Sequence, residues 1–246
     1  THETATWRRH WNEMMPKSSF LQKHSLVLVV YSLVFVLITV GSIYSERFLT
    51  LRNLTNVLRQ AAYLGTAALG EMLVILTAGI DLSIGSLVKL SVLVSAILMD
   101  GNPDNVMMAV GLTLALGLGV GLLHAFFINE LNLSPFVVTF ASLFILQGIS
   151  LTITTKPIGR SSKDFLLLYS QKFFEVPIIV YFFGLVTLLI AFLLNMTVFG
   201  KHIYAVGGNP TVAELSGIPV KKIRYGVYGI CSLLAAVTGL LWLMRM

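Results

Sequence analysis

Apolar residues run along the chain in blocks long enough to cross a bilayer, separated by short polar breaks. A helical crossing needs about 20 mostly apolar residues. Seven runs meet or approach that length: Leu26 to Tyr44, Ala61 to Ala78, Leu82 to Met99, Val106 to Asn129, Pro135 to Thr155, Ile178 to Met196 and Tyr225 to Met244. The pattern predicts an all-α, polytopic helical membrane protein with about seven spans, in which residues 1–25 form a polar N-terminal segment and 26–246 the transmembrane domain. No small-residue cleavage site follows the first run, so it reads as an uncleaved anchor. Thr1 stands where a starting Met would, and the chain stops at Arg245-Met246 directly beyond an apolar run. Both ends are therefore expected to be cut, with the transmembrane domain incomplete at its C-terminus.

Composition agrees with the pattern. Of 246 residues 56% are apolar and only 11% charged, with mean hydropathy +0.85, whereas a soluble domain is nearer one quarter charged. The net charge of +6 would suggest nucleic acid in a soluble protein, but here the bases lie between apolar runs and are expected to flank a membrane, with no nucleic-acid partner. With the N-terminus inside, Arg8, Arg9, Lys17, Lys23, Lys201, Lys221, Lys222 and Arg224 are cytoplasmic. Arg47, Arg52, Arg59, Lys156, Arg160, Lys163, Lys172 and Arg245 are external, and Lys89 lies within a span. That is a tie by number; the cytoplasmic N-terminus is preferred because the first helix usually sets orientation and Lys201, Lys221, Lys222 and Arg224 flank the last two spans closely. Cys231, the one cysteine, reads as a small packing residue.

Two stretches break the apolar pattern. Glu71 to Lys89, EMLVILTAGIDLSIGSLVK, puts three ionisable residues in or beside two runs. Gly79 and Gly85 surround Asp81, Ser83 and Ser86, as in a helix end followed by a capped helix start, with Asp81 accepting a backbone N–H two or three residues ahead. This is either a broken helix inside the protein, which would line a transport path, or a capped turn at the membrane surface. In the second stretch, Phe199 to Arg224, Asn209 suits an N-cap and Pro210 a first helical position. Glu214 adds negative charge and Gly217 suits the stop, which predicts one short helix between two spans, serving as a partner-binding knob or a solvated connector. His124, Gln147 and Asn195 are expected to hydrogen-bond between helices. Phe136, Phe140, Leu143 and Gln147 share one helical face, where rings and an amide could hold a sugar. The expected substrate path is Asp81, Ser83, Phe136, Phe140 and Gln147. No G-x-x-x-x-G-K-[ST] loop, H-E-x-x-H, paired-Cys motif or G-x-S-x-G occurs, so neither an ATP site nor a metal, cofactor or acyl-transfer site is expected in this chain.

Ile75 to Ser86 (ILTAGIDLSIGS) and Phe199 to Arg224 (FGKHIYAVGGNPTVAELSGIPVKKIR) resemble the hallmark segments of the permease subunits of bacterial carbohydrate ABC importers, the ribose, xylose and galactoside group. Phe48 to Ala62 and Pro135 to Thr154 fit the same pattern. The resemblance implies that the 199–224 loop is cytoplasmic and docks on an ATPase subunit, engaging it through Gly207, Gly208, Asn209, Pro210, Glu214, Leu215 and Gly217. It further implies a second permease subunit (a homodimer), ATP-binding cassette subunits, an extracytoplasmic sugar-binding protein and a place in the bacterial inner membrane. Family members continue past this point with a Gly-rich segment and further helices. The alternatives are a branched-chain amino-acid ABC permease, an ion-coupled transporter using Glu71, Asp81 and Lys89, and a non-transporting scaffold.

Overall fold

Nearly every apolar block becomes a helix in the computed structural model, which describes residues 25–155 and 158–245. The expectations for Arg8, Arg9, Lys17, Lys23 and Lys156 lie outside the described residues. The described residues divide into two compact units, one ending at Leu54 and the other beginning at Thr55. The first holds α1 (Ser25–Tyr44) and the start of α2 (Leu51–Leu76). The Thr50 hydroxyl accepts from the Asn53 amide at 3.4 Å, and the Asn53 side chain donates to the Phe48 carbonyl at 2.8 Å, so the turn into α2 is pinned locally.

The second unit continues through α3 (Ile84–Met99), a 3₁₀ turn (Pro103–Asn105), α4 (Val106–Asn129) and α5 (Pro135–Ile153). Then come α6 (Lys163–Ser170), a small antiparallel pairing of β1 (Lys172–Phe173) with β2 (Val176–Pro177), α7 (Ile178–Met196), α8 (Val198–Gly208), α9 (Pro210–Leu215) and α10 (Val220–Leu243). Among the described residues, the helical stretches long and apolar enough to cross a membrane are Val27–Tyr44, Pro103–Asn129, Pro135–Ile153, Ile178–Met196 and Val220–Leu243. Five stretches thus qualify by length and composition, and the expected count of seven is not confirmed. The run Ala61 to Ala78 belongs to α2, which begins ten residues earlier on a polar stretch with Arg52 and Arg59 and carries Glu71. The run Leu82 to Met99 yields a helix of 16 residues, about 24 Å at 1.5 Å per residue, short of a hydrocarbon core of about 30 Å.

The centre of the second unit is α10, whose surface is mostly covered by α4 and α3. Lipid gives helices no hydrophobic reason to associate, so close backbone approach between small residues has to hold them. Helix α4 supplies it with Ala109, Thr113, Gly117 and Gly121, buried at four-residue intervals. A Cβ at Gly117 would sit 2.5 Å from that of Ala236, and one at Gly121 would strike the Tyr228 carbonyl and come within 2.9 Å of Ser232. Gly121→Ala is therefore expected to lower the Tm of the purified protein, by an overpacking cost of about 1–3 kcal/mol. Gly119→Ala, facing open space, is expected to leave Tm unchanged. Equal melting of both variants would contradict this crossing.

Loop contacts sort the helix ends of this unit. At one end Gly101 donates to the Arg160 carbonyl (2.9 Å) and Arg160 to that of Ala96 (3.2 Å). At the other, Lys221 pairs with Glu130 (2.7 Å) and the Asn129 side chain donates to the Lys221 carbonyl (3.1 Å). The 130–134 and 197–224 connections thus share an end.

Candidate functional site: a broken helix and the segment beneath it

Helix α2 stops inside the protein. Ala78 takes a left-handed φ of 56°, and the amides of Gly79 and Ala78 return to the carbonyls of Val74 (3.0 Å) and Ile75 (2.9 Å), the two bonds of a Schellman ending. The left-handed residue is Ala78 and not Gly79. Gly79 is needed for space instead, because a Cβ there would lie 2.8 Å from the Tyr228 hydroxyl.

Asp81 is 5% exposed. Its Oδ1 accepts from the Ser83 amide (2.9 Å) and the Ser83 hydroxyl (2.6 Å), which closes the turn into α3 two residues ahead, as expected. The other face of Asp81 meets three elements. Its amide donates to Glu71 Oε1 (3.4 Å), His124 Nδ1 lies 3.7 Å from Oδ2, and Cys231 Sγ lies 4.0 Å from the same oxygen. Cys231 is eleven residues into α10, about 16 Å from its start. Asp81 is therefore buried against α4 and α10, midway along α10, unlike a capped turn exposed at a surface. Among the buried atoms, Glu71 Oε2 and His124 Nδ1 have no hydrogen-bond partner.

His124 Nε2 also meets the Ser142 hydroxyl at 2.8 Å, so α4 and α5 are tied together and set beside the break. Serine, histidine and carboxylate follow one another here, but nucleophilic chemistry needs the carboxylate to fix the histidine tautomer, and 3.7 Å is too long for a hydrogen bond. Asp81 instead commits Oδ1 to Ser83. The arrangement braces three elements. Ser142 was missed in the sequence, where a lone serine in an apolar run gives no signal of its partner.

Alternate residues of the break face opposite ways. Thr77, Asp81 and Ser83 are buried, while Ala78, Ile80 and Leu82 are exposed. The Ile80 carbonyl is reached by the hydroxyls of Thr139 and Tyr228, each at 3.4 Å. Thr139 brings the first turns of α5 alongside, and there Phe136 and Phe140 stack at 5.5 Å. These rings are half exposed and Gln147 is exposed as well. Within this chain α5 turns Val138, Thr139, Leu146 and Ser150 inward and leaves the aromatic face outward. Of the other polar residues expected to bridge helices, His124 does so, whereas Asn195 bonds back to Ala191 of its own helix (2.8 Å). Lys89 does not join Glu71 and Asp81. It is exposed and lines a separate groove, so the three do not form one ion-coupling site.

The 199–224 segment holds two helices where one was expected. Gly207 and Gly208 belong to the end of α8, whose start is capped by the Thr197 hydroxyl accepting from Gly200 (3.1 Å). Asn209 then caps α9 by accepting from Val212 (3.1 Å), and Gly217 at φ 83° ends it with the Ile218 amide on the Ala213 carbonyl (3.0 Å). Ala213 is buried, while Leu215 is 85% exposed, with Glu214 exposed beside it. A Cβ on Gly207 would collide with the carbonyl of Leu76, the last residue of α2. The α8–α9 segment therefore abuts the helix end from which the break departs.

Residues 53–246 match the family described as "Branched-chain amino acid transport system / permease component". The chain is 33% identical to the ribose import permease of Escherichia coli strain K12 over 251 residues, covering all of this chain and 75% of that protein. It is 34% identical over 201 residues to the D-allose transport system permease of the same organism (80% and 62% covered) and 29% identical over 254 residues to the fructose import permease of Rhizobium meliloti (96% and 69%). No solved structure matches the chain.

Proposed function

The chain belongs to this permease-component family, and from that premise we propose that it is the membrane permease subunit of an ATP-driven ABC importer for a sugar of the pentose or hexose class. The observation that carries the sugar over a branched-chain amino acid is that the ribose, allose and fructose import permeases resemble it across most of its length. ATP hydrolysis belongs to a separate cassette subunit, and a binding protein delivers the sugar from outside the bacterial inner membrane. The N-terminus and the 197–224 connection are cytoplasmic.

The break supports a path. Irregular backbone at membrane depth persists only where it is buried in protein or lines a cavity, so the outward side of Ile80 and Leu82 needs a cover. A second copy of the permease supplies it, with the sugar passing between the break of each copy and the Phe136, Phe140 and Gln147 face. Helix α9 offers Glu214 and Leu215 to a groove on the ATPase, Asn209, Pro210 and Gly217 hold it stiff, and Gly207 sets it against α2.

Co-purification tests the docking role. Glu214→Lys, and separately Asn209→Ala with Pro210→Gly, are expected to leave permease abundance in membranes unchanged while recovery of the ATPase subunit falls about tenfold or more, since a few central residues carry most interface energy. Full recovery with both variants would make α9 a solvated connector.

A further inference from the structure

At the end of the second unit away from α9, α3, α5 and the 158–161 loop enclose a groove of about 1010 Å³. Its walls include Val88, Val92, Leu151 and Leu166, and its polar groups include Lys89, Arg160 and Ser161. No carboxylate lines it, and among the described residues neither Lys89 nor Arg160 has a carboxylate partner. Lys89 and Ala96 lie two turns apart on one face of α3. The Arg160 amide is fixed to the Ala96 carbonyl, so both cations line the same groove. The Ser161 hydroxyl is buried without a partner.

A cation on an apolar helix in a membrane is costly unless it is paired or reaches the interface. Lys89 is such a cation, and with Arg160 on the adjoining loop it lies over the same apolar walls, which suits an anion with an apolar body. A neutral sugar would leave both charges uncompensated. We propose that this groove binds an anionic phospholipid, its phosphate accepting from Arg160 and Lys89 and one acyl chain lying along Val88, Val92 and Leu151. The proposal needs the permease reading only in that the helices sit in a bilayer, and its test does not use transport.

Trp242 lines the groove and is one of three tryptophans. Trp7→Phe with Trp11→Phe makes it the sole indole reporter of the full chain. In vesicles, phosphatidylglycerol with brominated acyl chains is expected to quench Trp242 in preference to brominated phosphatidylcholine at equal mole fraction, by on the order of fivefold in relative affinity per cation. Arg160→Gln alone should reduce the preference and Lys89→Gln with Arg160→Gln should abolish it, while Lys89→Arg and Lys163→Gln retain it. Equal quenching by the two lipids, or a preference that survives the double variant, overturns the proposal. So does relief of quenching by inorganic phosphate, which would indicate a free-anion site, by added sugar, which would indicate a substrate site, or by a second copy of the chain filling the groove. Sugar import by the same protein would stand in any of these cases.

Discussion

Asp81→Ala is expected to reduce ATP-driven sugar uptake at least about tenfold and to lower Tm, and Asp81→Asn to lose much less of both. The alanine leaves the Ser83 amide and hydroxyl without their acceptor in a site closed to water. Each buried donor stranded in this way costs about 1–3 kcal/mol, and every 1.4 kcal/mol is a factor of ten in an equilibrium. Asparagine keeps one oxygen for Ser83 and nearly the same volume, so the turn into α3 survives. His124 and Cys231 approach the other oxygen at 3.7 and 4.0 Å, too far to lose a strong bond. Uptake and melting temperature unchanged in the alanine variant would show that the break holds without its cap.

Gly207→Ala is expected to abolish most sugar-stimulated ATP hydrolysis while leaving the protein in the membrane. The added methyl group meets a backbone carbonyl at the end of α2, which cannot rotate away as a flexible side chain could, so α8 and the helix end must part. Overpacking of this kind costs about 1–3 kcal/mol, and the strain falls where the α8–α9 segment would, on the proposed docking role, pass its displacement to the break. Gly208 provides the internal comparison, since a Cβ there meets nothing within 4 Å. Its alanine variant should keep the parent Tm, whereas Gly207→Ala should melt several degrees lower. Identical melting and identical stimulated hydrolysis in the two would remove the mechanical link.

The sequence was most informative where local chemistry decides the outcome. The length of the apolar runs placed α4, α5, α7 and most of α10 within a few residues. Asn209, Pro210 and Gly217 marked α9 because capping acts over three or four residues, and Asp81 with Ser83 marked the break for the same reason. What could not be read was set by distant partners. Ala78, not Gly79, carries the positive φ, and Gly79 is set by Tyr228, far along the chain, which takes the space a side chain there would need. Phe136 and Phe140 share a face by helical arithmetic, but which way it points depends on the inward pull of Leu146, Ser150 and Thr139. Gly207 and Gly208 resembled loop residues, yet both lie within α8, where Gly207 fits against Leu76. The four-residue spacing of Ala109, Thr113, Gly117 and Gly121 was legible and overlooked.

The account turns on what crosses the membrane and what drives it. The most direct measurement is uptake of radiolabelled solutes into proteoliposomes that hold the full-length permease with its ATPase subunit and binding protein, with and without ATP and with an imposed ion gradient. The expected result is ATP-dependent accumulation of a pentose or hexose, lost in Asp81→Ala and in Gly207→Ala, with no accumulation of leucine. Leucine uptake under ATP, or sugar uptake driven by the ion gradient alone, would contradict it.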